Sequence, residues 1–178
     1  SIVGALLYAS VNTRPDVAYA VGMLCRAMSR PTPELQAAAL RVLGYLYRTR
    51  ELGLRYEGDN LPLSGMSDSD WAVKHSTTGF VFTYNKAAIT WGSKKQGSVA
   101  LSSCEAEIVA ASEAAKEGVH LNRFLTELNM HDGSPIAQAT DNTGARDLSY
   151  NPHHHQKTKH IERRHFFVRE CVEDHTIT

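Results

Sequence analysis

Three short acidic contexts follow one another along the chain: Ser67-Asp68-Ser69-Asp70-Trp71, Ser103-Cys104-Glu105-Ala106-Glu107-Ile108 and Ala139-Thr140-Asp141-Asn142. Asp68, Glu107 and Asp141 run in the order Asp, Glu, Asp, with spacings of 39 and 34 residues. Each stands where the local pattern ends a strand or begins a helix, so the fold has to lay a helix across a sheet to bring the three together. Clustered carboxylates repel one another and persist mainly when a cation neutralises them. The chemistry this suggests is metal-assisted phosphodiester hydrolysis, in which two ions roughly 3.5–4 Å apart hold the attacking and leaving oxygens.

The pattern around these acids is helical for the first ~55 residues and mixed thereafter. Thr13-Arg14-Pro15 starts a helix that puts Val17, Val21, Leu24 and Met28 on one face. Thr32-Pro33 starts another, a Thr cap with proline at the first helical position, followed by the stripe Leu35, Ala39, Val42 and Leu46. Arg41 and Arg48 share a face away from that stripe, which reads as solvated or as a contact to a nucleic-acid backbone. Gly53 and Gly58-Asp59-Asn60 mark a hinge.

Beyond the hinge, the segment from Leu61 to Ser67 leads in extended form into Asp68. Thr78 to Tyr84 and Ala88 to Ser93 are rich in aromatic and β-branched residues, with Asn85-Lys86-Ala87 as the turn of a hairpin, so three adjacent antiparallel strands are expected. Ser102 and Glu105 form an S-x-x-E capping box that opens a helix running to about Asn129, with Leu121, Phe124, Leu125 and Leu128 as its apolar band. Glu105 and Glu107 are two apart and face differently, so one caps while the other is placed to reach an ion. Pro135 to Thr140 reads as a short buried strand that delivers Asp141, and Asn142-Thr143-Gly144 as a turn into the next helix. Taken singly, Glu107 reads rather as an ordinary surface glutamate and Asp141 rather as a helix cap; it is the three acids in order that favour the site.

The same residues carry a family resemblance. Asp68 in S-D-S-D-W, Glu107 in S-S-C-E-A-E, Asp141 in T-D-N and the run Thr158-Lys159-His160-Ile161-Glu162-Arg163-Arg164-His165-Phe166-Phe167-Val168-Arg169-Glu170 resemble the ribonuclease H domain of copia-type LTR retrotransposon polyproteins. The stretches from Ile2 to Ala9, Thr13 to Val21 and Arg41 to Leu46 resemble the connection segment that precedes it. No polymerase active-site motif is present. The resemblance implies an α/β, ribonuclease H-like mixed sheet flanked by helices at residues 58–178, preceded by a small helical connection lobe at residues 1–57. It implies an endonuclease that uses two Mg²⁺ (or Mn²⁺) ions to hydrolyse the RNA strand of an RNA–DNA hybrid.

On that resemblance Asp68, Glu107 and Asp141 are the catalytic, ion-holding acids. Asp70, one strand period beyond Asp68, is an outer candidate, and His165 and Glu170 are auxiliary ones. Asn142, Lys157, Lys159, Arg163 and Arg164 are candidate substrate contacts. Two departures stand out: Leu35 occupies a position usually held by histidine, and the chain stops at Thr178, before the C-terminal helix on which ribonucleases H commonly carry a fourth acid. Two other classes stay open, a non-catalytic nucleic-acid-binding or connection module that has lost its C-terminal strand and helix, and a DNA-directed nuclease of the same superfamily.

Formal net charge is zero, but local charge is not. From His153 to Arg169, Lys157, Lys159, Arg163, Arg164 and Arg169 stand against Glu162, giving +4, and five of the nine histidines lie there too. Such a patch suits phosphates, or is an ordinary solvated helix face. Zinc is not expected, because consecutive histidines do not converge on one ion and no C-x-x-C is present. Cys25, Cys104 and Cys171 are odd in number and far apart, which fits a reducing intracellular compartment, cytoplasmic or nuclear, rather than secretion. No apolar run reaches a membrane span, and a monomer is favoured.

Overall fold

Helix formation in the first third is controlled by two prolines. The computed structural model describes residues 1–58, 62–72, 74–141 and 159–178, the last stretch without the side chains of residues 159–162 and 165. Its N-terminal lobe consists of α1 (Ile2–Asn12), α2 (Ala18–Arg26) and α3 (Pro33–Arg48). Pro15 opens a single 3₁₀ turn, Pro15–Val17, so the helix expected from Thr13-Arg14-Pro15 becomes α-helical only at Ala18. Arg14 provides no side-chain cap there; its guanidinium donates instead to Asp16 Oδ2 at 2.7 Å and to Thr49 Oγ1 at 2.6 Å, tying the start of α2 to the end of α3. Thr32 caps α3 as expected, its hydroxyl accepting from the Leu35 amide at 3.3 Å. Leu6, Val17, Val21, Leu24 and Ala39 form the core of this lobe, with Leu35, Val42 and Leu46 packed against it. Met28 departs from its expected face and is exposed, because α2 ends at Arg26 and the chain turns before reaching it.

The sheet contains β1 (Ser64–Asp70), β2 (Thr77–Tyr84), β3 (Ala87–Lys95) and β4 (Ala137–Thr140) in the order β3-β2-β1-β4. β1 and β3 each pair antiparallel with β2, as the hairpin pattern predicts, while β4 lies parallel to β1. The hairpin turn is two residues, Asn85 and Lys86, at φ +51° and +66°, the left-handed backbone whose twist matches the flanking strands. Ala87 therefore belongs to β3 and pairs with Tyr84. Between β3 and β4 the helix α4 (Ser103–Glu127) crosses β1 and β2, and α5 (Lys159–Glu173) packs on α4. After α5 the chain returns to the sheet: Thr176–Thr178 run parallel to the start of β4, with Ile136 N donating to Thr176 O at 3.0 Å and Gln138 N to Thr178 O at 2.9 Å. Ile136↔Ile177 is an isolated parallel bridge at the edge of β4. Strand order and directions, with helices on both sides, are those of the ribonuclease H-like fold.

Phe82 is the centre of the second core and is fully buried. A Cβ on Gly65, its cross-strand partner, would lie 2.4 Å from the ring, and one on Gly118 of α4 would lie 3.3 Å from it, so the ring fills space that these two glycines leave. The face of α4 differs from expectation. Leu121 and Leu125 point inward, but Phe124 and Leu128 are exposed, and the buried length is mostly small residues from Ala106 to Ala115. The cause is position: this half of α4 lies between the sheet and another layer, and small residues permit close approach on more than one side. β4 is also less buried than expected; Ile136 is enclosed, while Ala137–Thr140 are exposed or half-buried.

Side-chain alternation assigns the two faces of the sheet. Phe80, Phe82 and Tyr84 face α4, whereas Thr77 and Val81 face the other way. Arg26 of α2 donates to Thr77 Oγ1 at 3.3 Å, and the Trp91 indole, opposite Val81, donates to Ser10 O at 2.8 Å. The helical lobe and α4 consequently cover opposite faces. Among the described residues no helix is long and apolar enough to cross a membrane.

The two glycine environments give opposite expectations. Gly65→Ala should lower unfolding free energy by about 1–3 kcal/mol, because the ring has to move. Gly44→Ala, in α3 with nothing within 4 Å of the new methyl, should raise it by about 0.5–1 kcal/mol. Urea denaturation of both variants checks this; a Gly65→Ala protein as stable as the parent would contradict the packing of Phe82.

Candidate active site

Parallel strands β1 and β4 pair from Ser64↔Ala137 to Ser67↔Thr140. There β4 ends and the chain reaches Asp141, while β1 runs on through Asp68, Ser69 and Asp70. The gap lies at the carboxyl ends of two adjacent parallel strands, where α/β sheets commonly hold ligands. α4 borders the gap, and its start is fixed by the cap expected: Ser102 Oγ accepts from the Glu105 amide at 3.2 Å. The return half of the cap is shifted by one residue, with Glu105 Oε2 accepting from the Leu101 amide at 2.5 Å. Glu105 is thereby occupied, and Glu107 in the next half-turn reaches the gap.

One carboxylate oxygen from each of Asp68, Glu107 and Asp141 lies within 4.8 Å of the others. Oxygen ligands of an octahedral Mg²⁺ are about 3 Å apart when adjacent and about 4.2 Å apart when opposite, so the three carboxylates are within the range from which modest side-chain movement brings them onto a cation. Ser69 grips Glu107: its hydroxyl donates to Oε1 at 2.6 Å and its amide at 3.2 Å. The same amide donates to Asp68 Oδ1 at 2.7 Å. Glu107 Oε2 is buried and has no hydrogen-bond partner among the described residues, and neither has the hydroxyl of Ser67. An all-oxygen donor set with one orphaned carboxylate oxygen fits a hard divalent cation.

Burial, followed by the neighbouring charges of Asp68 and Asp141, pushes Glu107 above the ordinary carboxylate range, against the downward pull of the Ser69 hydrogen bonds. The backbone beneath it is held by Gln96, whose side-chain amide donates to Ala106 O at 2.9 Å and Thr78 Oγ1 at 3.1 Å. Burial also pushes the thiols of Cys104 and Cys171 up, so they are poor nucleophiles, and all three cysteines are free.

The other candidates are dispersed. Asp70 shares the face of Asp68 and accepts a hydrogen bond from Tyr19 Oη of α2 at 3.0 Å. Glu170 is exposed on α5, and lies about 16 Å along the helix from Lys159. Glu170 is not among the acids that converge with Asp68. Arg163 is exposed and Arg164 half-buried near the start of that helix. Asn142, Lys157 and the side chains of Lys159 and His165 lie outside the described residues. Ser69, Gln96 and Tyr19 were not foreseen. Ser69 had a signal, a hydroxyl between two acids of one strand; Gln96 and Tyr19 had none, since their partners lie far off in sequence.

A raised pKa means the folded protein holds the Glu107 proton more tightly than the unfolded chain does. Metal-free stability therefore falls as pH rises from the ordinary glutamate value through the raised one. Glu107→Gln removes that penalty, so in EDTA at pH 7 its melting temperature should equal or exceed that of the parent. Millimolar Mg²⁺ or Mn²⁺ should raise the melting temperature of the parent but not of the variant. A parent indifferent to both ions would contradict convergence of the acids on a cation.

No family model matches the chain. It is 42% identical over 181 residues to the retrovirus-related Pol polyprotein from transposon TNT 1-94 of Nicotiana tabacum, a match covering 99% of this chain and 14% of the polyprotein. It is 46% identical over 126 residues to Secreted RxLR effector protein 161 of Plasmopara viticola, covering 68% of this chain and 89% of that protein. Among solved structures, the foamy viral protease-reverse transcriptase dRH in complex with double-stranded DNA aligns over 99% of this chain and 30% of its own, with a TM-score of 0.56 at 16% identity, a likeness of fold. The chain thus spans about one seventh of the Pol polyprotein it matches. With its sheet order, its converging acids and a 42% identity over an alignment that covers 99% of it, the chain belongs to the retrovirus-related Pol polyproteins of transposons, as a ribonuclease H-like part of them.

Proposed function

We propose that the chain is a metal-dependent endonuclease that hydrolyses the RNA strand of RNA–DNA hybrids, with residues 58–178 as the nuclease domain and residues 1–57 as a connection segment. The observation that carries this is the meeting of Asp68, Glu107 and Asp141. These acids would hold two Mg²⁺ or Mn²⁺ ions, which when bound offset phosphate charge and activate the attacking water. Ser69 keeps one oxygen of Glu107 occupied and leaves the other for an ion. Asp68 and Asp141 come from the ends of two parallel strands, so a phosphate approaches along the strand ends rather than across the sheet.

Arg163 and Arg164 near the start of α5, with Lys159, Lys157 and Asn142 before them, are the proposed contacts to the substrate backbone. Discrimination of RNA from DNA would rest on its 2′-hydroxyls. The foamy viral neighbour in complex with double-stranded DNA supports nucleic acid as the partner. The protein would act as a monomer in a reducing intracellular compartment. Mn²⁺ is less demanding in its coordination than Mg²⁺ and should support at least as much activity.

The test is a labelled RNA–DNA hybrid incubated with either ion beside single-stranded RNA and duplex DNA. Cutting should be confined to the RNA of the hybrid, and Asp68→Asn, Glu107→Gln and Asp141→Asn should each lose roughly 100-fold or more. Asp70→Asn should stay within about 10-fold. Equal cutting of duplex DNA, or near-normal turnover in any of the first three variants, would contradict the assignment. Lys157→Ala with Lys159→Ala and Arg163→Ala should flatten the salt dependence of hybrid binding by roughly one unit of slope per lost phosphate contact.

A further inference from the structure

Between the helical lobe and the sheet lies an open cavity of about 840 Å³ whose lining includes Asp68 and Asp141. Met66, Val81 and Trp91 supply its sheet side, and Tyr19 with Pro15 supplies the side formed by the helical lobe. Tyr19 is half exposed, at 49%, and is steadied by its hydroxyl hydrogen bond to Asp70. The cavity carries Asp68, Asp70 and Asp141, together with an Asp16 paired to Arg14, and no lysine, arginine or histidine among its described lining residues. A phosphate is repelled from such a lining except where cations neutralise the acid cluster. The remaining wall, apolar and aromatic, favours a neutral flat group. Its volume falls within the range of roughly 300–1,000 Å³ typical of small-molecule pockets.

We propose that this cavity takes the base of an unpaired nucleotide next to the scissile phosphate, stacked on the ring of Tyr19. The proposal rests on the nuclease function above and adds to it a substrate preference. A base inside a duplex is paired and stacked on its neighbours, so it is not available to the cavity. A hybrid with an unpaired nucleotide beside the cut, as at a junction with single strand, presents one. The helical lobe then forms one wall of the substrate site.

The test compares a fully paired hybrid with one carrying a single unpaired nucleotide beside the cut, in Mn²⁺, using the parent chain, Tyr19→Phe and Tyr19→Leu. The parent and Tyr19→Phe should favour the unpaired substrate. Tyr19→Leu, which keeps bulk but has no π face, should lose that preference through a roughly 10-fold higher KM with kcat little changed. Binding is read separately with 2-aminopurine at the unpaired position of an all-RNA strand, each chain also carrying Glu107→Gln so that the strand is not cut. Its emission should fall on stacking with the parent and Tyr19→Phe, and not with Tyr19→Leu. Hydrolysis by the parent with equal preference and emission in Tyr19→Leu overturns the proposal. Loss of emission with the parent but no hydrolysis of either substrate supports the cavity assignment and contradicts the nuclease function instead.

Discussion

Beyond the pair Ser67↔Thr140, β1 and β4 share no further pairing among the described residues. Had β4 continued, the sheet would have closed over the space beside Asp68, and the Ser69 amide would have been taken up by a neighbouring strand. Instead that amide binds the carboxylates of Glu107 and Asp68. A short parallel pairing therefore determines three things together: where Asp141 leaves the sheet, how far Asp68 projects past it, and what holds Glu107. The electrostatic consequence is a cluster of like charges, one of them buried, that is costly without a cation and ready to accept one.

Local signals brought much of this within reach of the sequence. Asn85-Lys86-Ala87 between two β-rich runs identified the hairpin, though Ala87 belongs to β3, and Ser102 with Glu105 identified the start of α4, because turns and caps depend on neighbours a few residues apart. The order Asp, Glu, Asp, with the motifs around it, was sufficient to name the three acids that meet. What depended on distant partners was not visible. The burial of α4 through alanines rather than through Phe124 and Leu128 follows from its place between two layers. The bond from Tyr19 to Asp70 spans 51 residues of sequence, and the grip of Gln96 on Ala106 depends on how β3 ends. Pro15 was a local signal misread: proline suits the first turn of a helix, and here it opened a 3₁₀ turn that delayed α2 by three residues.

The two lobes contribute differently to the same site. In the sheet lobe, Phe82 between Gly65 and Gly118 sets the spacing of β1 and α4, and with it the height at which Glu107 meets Asp68. Tight packing of this kind resists gradual deformation, which suits a group of charges whose separation determines ion binding. The helical lobe has its own core and touches the opposite face of the sheet through Arg26, Ser10 and Tyr19. It thereby turns an exposed strand face into the wall of a cavity.

The claim on which everything else rests is that acids from β1, α4 and β4 hold a divalent cation jointly. Titration of the protein with Mn²⁺, followed by the electron paramagnetic resonance signal of the free ion, measures this without reference to substrate or turnover. The expected result is binding to the parent chain that weakens by roughly 10-fold or more in each of Asp68→Asn, Glu107→Gln and Asp141→Asn, with Asp70→Asn close to the parent. Binding that is the same in all four variants and the parent would contradict it.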